Sequence, residues 1–271
     1  MTNCKILVAC HKPSWIPEDS RFVPIHCGRK VSQLSEEDLR WMIKNTIGDD
    51  TGDNISELNP YFCELTAIYW AWKNYEKLGN PEKIGLCHYR RYFLDVPENS
   101  SIVAPYYKLW GWATIRQQFE KHHPKSELDL IIDLLPEGEF KTEFQNYLNQ
   151  NEGYFFNMFV MKKQTFFEYC DLIFPVLFKQ MEISQWEQLD SYQRRMPGFL
   201  AERLTGAFLR MKKGAVIDFF ETVTIVPTTV NLDSFNKQKD FLRKLSCLPL
   251  FMKVYSRFLS IQTIFKRFIK I

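Results

Sequence analysis

KIGLCHYRRYF, residues 83–93, decides how the rest of the chain is read. Ile84, Gly85, Leu86 and Cys87 read as a buried β-strand. The next residues are His88, Tyr89, Arg90, Arg91 and Tyr92, with no turn residue between the two halves. Burying a guanidinium without a partner costs several kcal/mol. Either the strand surfaces at this point or something anionic waits at its end. If the strand continues, Arg90 and Arg91 point to opposite sides and can bracket a ligand from two directions. Guanidinium forks suit diphosphate oxygens. The alternative is that one or both pair with acids on a neighbouring helix. His88 is open to phosphate binding, to acid–base chemistry or to a structural hydrogen bond.

Outward from this strand, the chain alternates strand and helix patterns. The apolar run at 5–10 ends in His11-Lys12-Pro13, as a doubly covered parallel strand does where it opens into a loop. Residues 21–29 read as a second strand or extended segment. GDDTGDN, residues 48–54, marks a loop. Asn59-Pro60 supplies an N-cap and a proline at the first helical position. Residues 61–79 then read as one helix, with Tyr61, Leu65, Ile68 and Trp72 along a face and Gly79 closing it. Residues 106–123 and 127–150 read as mostly helical, 153–163 as strand, and Thr165 as the cap of a helix that Pro175 is placed to kink. A further helix follows Pro197-Gly198, and strand material returns at 215–229. Such alternation is α/β with a mainly parallel sheet, whose ligands bind outside the carboxyl ends of the strands. The Arg90–Arg91 pair lies at such an end.

The chain has 271 residues, enough to bury a sizeable core, and 15% aromatic content with 11 glycines argues against disorder and repeat arrays. Seven scattered cysteines form no CxxC pair, so a zinc ribbon or redox dithiol is not indicated. The N-terminus does not read as a signal peptide, which favours reduced, cytosolic thiols. P-loop, GxGxxG, GxSxG and HExxH motifs do not occur. The acids of residues 48–54 miss the EF-hand spacing. They are open to sugar hydroxyls or to plain turn chemistry. His122 and His123 are adjacent on a helix and point about 100° apart, which is poor for a shared metal. Glu202 is either a dipole partner in a first helical turn or a base aimed into a cleft.

Charge is unevenly placed. Beyond residue 240 lie Arg243, Lys244, Lys253, Arg257, Lys266, Arg267 and Lys270 with no acid, although the whole chain is only +3. The body, 1–240, is therefore net acidic. The tail, 241–271, interleaves these charges with Leu, Phe and Ile and has no run of about 20 apolar residues. It reads as a segment lying on a membrane and not spanning it, or as a helix packed on the body. An acidic body without an RNA- or DNA-binding motif argues against a nucleic-acid partner.

The blocks GDDTGDNISELNPYFCELTAIYWAWKN, IGLCHYRRYF, FNMFVMKK and YQRRMPGFLAERL, in this order, resemble one family over residues 5–224. It is the bacterial capsular and exopolysaccharide glycosyltransferases long filed as a domain of unknown function, some of them galactofuranosyltransferases. The resemblance implies a GT-A-like domain and transfer from a UDP-sugar to a growing glycan, with inversion at the anomeric carbon for the galactofuranose branch; the basic tail adds the inner membrane face, where lipid-linked acceptors lie. GT-A enzymes usually place a metal-binding Asp-x-Asp where a central strand ends. Here the corresponding strand end reads Cys87-His88-Tyr89-Arg90-Arg91, so fixed arginine charge takes the metal's place and no cofactor is expected. Asp49, Asp50 and Asp53 are the fallback metal ligands. The resemblance further places His11 and Lys12 against the nucleotide, and Asp49, Asp50, Thr51, Asp53 and Asn54 on ribose or sugar hydroxyls. Asn157 falls near the reacting sugar and Arg194 and Arg195 near phosphate. Glu202 is the implied base and Asp190 the second choice. A carbohydrate-binding protein without catalysis and a nucleotide-sugar hydrolase are the competing classes.

Overall fold

The computed structural model describes residues 3–93, 96, 100–109, 113–184 and 189–212, with the backbone of 217–218 and 222–224. The tail at 241–271 lies outside the described residues. At the centre are four parallel strands: β1 (Cys4–Cys10), β2 (Phe22–His26), β3 (Ile47–Gly48) and β4 (Lys83–His88). Their order is β4-β1-β2-β3. Beyond β4 the sheet turns antiparallel. β5 (Arg91–Phe93) and β9 (Phe159–Lys162) both pair with β4. β6 (Ile102–Val103) pairs with β9, and β11 (Thr222–Thr224) with β5. A second sheet joins β7 (Pro105–Lys108), β8 (Glu152–Tyr154) and β10 (Ile217–Asp218).

Continuous apolarity in β1 follows from burial on both faces. Leu7 and Ala9 enter the larger core, while Ile6, Val8 and Cys10 enter a smaller one with Met42 and Tyr92. Met42 comes from α1 (Glu36–Asn45), capped by the Ser35 side chain. The larger core is roofed by α2 (Asn59–Phe62), α3 (Leu65–Lys73), α5 (Lys125–Leu134), α6 (Glu139–Leu148), α7 (Lys163–Ile183) and α8 (Met196–Met211). A short α4 (Ile115–Glu120) contributes Ile115 and Phe119.

Several sequence expectations are corrected. The strand at 83–93 does not continue: it folds back so that His88 pairs with Arg91, and Tyr89 and Arg90 form the tip. The helix expected over 61–79 is broken at Cys63, whose φ is 53°, into α2 and α3, with a 3₁₀ turn at Tyr75–Leu78 before Gly79. Asn59 does not cap. It is the first residue of α2, and its amide donates to the Cys63 carbonyl and Thr66 Oγ1. Residues 105–108 are strand, not helix. The single strand expected at 153–163 is two, β8 and β9, in different sheets. α7 begins at Lys163 and gets no side-chain cap, so Thr165 is not its N-cap.

Gly85 lies where β9 crosses β4. A Cβ there would sit 2.5 Å from the Phe159 carbonyl oxygen and 2.6 Å from Val160 Cγ2. Gly85→Ala is expected to cost about 1–3 kcal/mol, read as a lower urea midpoint. An unchanged midpoint would contradict this strand contact. His26 and His123 are 1% and 8% exposed. Burial, the leading cause for each, holds both imidazoles below their usual range. The folded state then binds fewer protons than the unfolded one. Stability is full above the unfolded histidine value and falls as pH drops below it, by at most about 1.4 kcal/mol per pH unit for each ring. Urea unfolding at pH 7.5 and 5.5 should show this loss, and equal stabilities would refute it.

Candidate functional site

The carboxyl ends of β1, β2 and β4 converge on one edge of the sheet. Beside them a cleft of about 400 Å³ is lined by His11, His26, Cys27, Gly28, Asn59 and Pro60, among others. That is within the usual range for small-molecule sites. His26 lies on its wall with Nδ1 buried and without a hydrogen-bond partner among the described residues.

Basic groups gather at the same edge. The His11 and Tyr89 rings meet edge to face at 4.9 Å, and the Arg90 guanidinium lies 5.0 Å from the Tyr89 ring centre. Lys12 Nζ is 6.0 Å from the same centre. Desolvation of its ring, then the charges of Lys12 and Arg90, hold the His11 imidazole below its usual range. Arg195 donates from Nε to Cys63 Sγ at 3.1 Å and lies over Phe199. Burial pushes the Cys63 thiol up to about 11, so it is a neutral acceptor and not a nucleophile. Arg91 lies 3.8 Å from the centre of the Phe156 ring.

Phe156 and Asn157 link β8 to β9, both at positive φ (75° and 51°). Hydrogen bonds from His88, to Glu202 and through the Asn157 side chain hold this reversal. His88 donates from Nε2 to the Phe156 carbonyl at 2.6 Å. The Phe156 amide donates to Glu202 Oε1 at 2.5 Å. Asn157, 3% exposed, donates from Nδ2 to Glu64 Oε1 at 2.9 Å and to the Gly198 carbonyl at 3.3 Å, and accepts from Thr205. His88 and Asn157 are therefore cross-links. Glu202 sits in the second turn of α8 and not at its start. Its other oxygen pairs with the buried Arg203, which also donates to the Phe199 carbonyl and to Gln118.

The acids of the GDDTGDN loop lie behind the cleft wall, where Asp49 acts on His26 and Cys27 and Asp50 on His26. Asp49 is 0% exposed and accepts from the Gly28 and Arg29 amides and Ser56 Oγ, which clamps the loop after β2. Asp50 faces Arg29 at 3.9 Å. Thr51 accepts from Trp70 Nε1, Asp53 from Tyr69, and Asn54 closes a turn with Gly52 and Ser56. Among the described residues no three His, Cys, Asp or Glu side chains converge as a metal site would need. Asp190 accepts from the Tyr192 and Gln193 amides and so caps the turn before α8, and Arg194 Nε donates to the Leu189 carbonyl of that turn. The sequence reading passes over His26, Cys63, Glu64 and Arg203. Glu64 alone left a signal, as the one acid in the apolar stretch YFCELTAIYWAW.

Among the described residues no helix is long and apolar enough to cross a membrane. The apo structure of the bifunctional glycosyltransferase WbbM superposes with a TM-score of 0.71 at 23% identity over 83% of this chain. The likeness is one of fold, and this chain spans 45% of that one. No curated protein gives a significant match. A family model described as Domain of unknown function (DUF4422) matches residues 5–108 and 96–213. With most of its length covered by that model, the chain belongs to this family of unknown function.

Proposed function

We propose that the protein is a glycosyltransferase that moves a sugar from a UDP-sugar to a glycan acceptor, inverting the anomeric carbon without a metal ion. The observation that carries this reading is the cluster of His11, Lys12, Arg90 and Arg195 around a cleft at the carboxyl ends of parallel strands. The fold it shares with WbbM, a bifunctional glycosyltransferase, supports the same reading.

In this reading the nucleoside lies in the cleft beside His26, whose unpaired Nδ1 suits a base edge or a ribose hydroxyl. The diphosphate lies across Arg90 and Arg195. As the bond from C1 to the phosphate oxygen breaks, the leaving diphosphate gains charge, and fixed guanidinium groups stabilise it without reorganising. Galactofuranose is the first donor sugar to try, on the family resemblance. The basic residues at 241–271 would hold the enzyme at an anionic membrane surface where lipid-linked acceptors lie. Loss of cosedimentation with phosphatidylglycerol vesicles on truncation at residue 240 is expected, and undiminished binding would refute that role.

Calorimetric titration with UDP in excess EDTA tests the core of the reading. Binding is expected, with Arg90→Ala and Arg195→Ala each weakening it about 10- to 150-fold, the worth of a charge-assisted contact of ~1.5–3 kcal/mol. Binding that appears only on adding manganese would overturn the metal-free mechanism. No binding in either condition would overturn UDP as the ligand.

A further inference from the structure

We propose that Glu64, and not Glu202, takes the proton from the attacking hydroxyl. The assignment rests on the transferase reading above. Its basis is a convergence of strained backbone. Four non-glycine residues have positive φ among the described residues, and three of them, Cys63, Phe156 and Asn157, meet at this one place. Such conformations persist only where surrounding contacts enforce them, and they cluster at functional sites. Cys63 interrupts the helix and delivers Glu64 as the residue preceding α3. The Asn157 amide reaches it from the other strained segment, bonding Glu64 Oε1 at 2.9 Å.

The orientation of that amide is fixed by its other partners. Nδ2 also reaches the Gly198 carbonyl, which only accepts, and Oδ1 receives the Thr205 hydroxyl. Asn157 is therefore a donor to Glu64. One carboxylate oxygen is held by a neutral amide, while Oε2 has no hydrogen bond among the described residues and the side chain keeps partial solvent access. The Glu64 charge acts on Cys27, in the cleft wall, on Cys63 and on Arg195. Glu202 differs: one oxygen holds the Phe156 amide and the other the buried Arg203. A carboxylate with both oxygens committed positions its neighbours and is a poor proton acceptor.

The acceptor hydroxyl oxygen forms its bond to the donor's anomeric carbon as its proton passes to Glu64 Oε2. The bond from that carbon to the β-phosphate oxygen breaks, and its electron pair leaves with UDP. Glu64 then returns the proton to water. Water is the simplest acceptor for the same machinery, so slow hydrolysis of the donor reports on the base before the natural acceptor is known.

The test follows UDP release from UDP-galactofuranose, UDP-galactose and UDP-glucose by wild type, Glu64→Gln and Glu202→Gln, with UDP affinity and thermal melting measured on each. Glu64→Gln keeps an amide oxygen for Asn157 and is expected to fold. The expected result is kcat lower by ~10²–10⁴-fold with UDP affinity and melting unchanged. Glu202→Gln should instead lower the melting temperature, because Arg203 loses its charge partner. Glu64→Gln turnover within about tenfold of wild type overturns the assignment, as does a raised donor KM with kcat intact, which would make Glu64 a donor-binding group. A wild-type chain that neither binds UDP nor consumes these donors overturns the transferase reading, and this inference with it.

Discussion

The site depends on the grip of Glu202 on the backbone between β8 and β9. Its carboxylate accepts the Phe156 amide while the buried Arg203 pairs with its other oxygen. Left-handed backbone at Phe156 and Asn157 costs of order 1–3 kcal/mol per residue, and without such partners the segment would relax toward an ordinary strand. The reversal has two consequences. β8 goes to the small sheet and β9 to the large one. The Phe156 carbonyl is brought to His88 and the Asn157 amide to Glu64. One charged clamp thereby joins α8, the end of β4 and the start of α3.

The electrostatic design follows from where the acids are used. Asp49 spends its charge on two backbone amides and the Ser56 hydroxyl, and Glu202 on an amide and an arginine. Carboxylates satisfied in this way stabilise the loops that carry them. Desolvation and its basic neighbours hold the His11 imidazole below its usual range, which disfavours a further charge there. Lys12 and Arg90 are exposed at this edge, an ammonium and a guanidinium suited to an anion with several oxygens.

Periodicity made the parallel centre legible. β1 and β4 are apolar on both faces because both faces are covered, and the polar residues after each mark the carboxyl edge. Local reversals were harder to read. Tyr89 and Arg90 turn the chain without glycine or proline, and Cys63 and Phe156-Asn157 adopt backbone that their side chains disfavour. Composition gives no warning of such places, because tertiary contacts impose them. The loop at 48–54 was legible as a loop, but not the bonds its acids make, from Ser56 to Asp49 and from Tyr69 to Asp53.

Glu64 escaped notice for the same reason. Read inside one continuous helix, it is an acid on a turn among apolar neighbours, with a role no sharper than favouring a helix dipole. The break at Cys63 changes its position from helix interior to helix entrance, and the break at Asn157 supplies its partner. Neither event suffices without the other. Two acids thus stand on either side of the Phe156–Asn157 reversal with opposite occupancy: Glu202 holds the strained turn in place, while Glu64 has an oxygen to spare. Environment sorts paired carboxylates into different roles in this way. The strained backbone that a stability argument counts as a cost is also what brings Glu64 to the helix entrance and Asn157 to one of its oxygens.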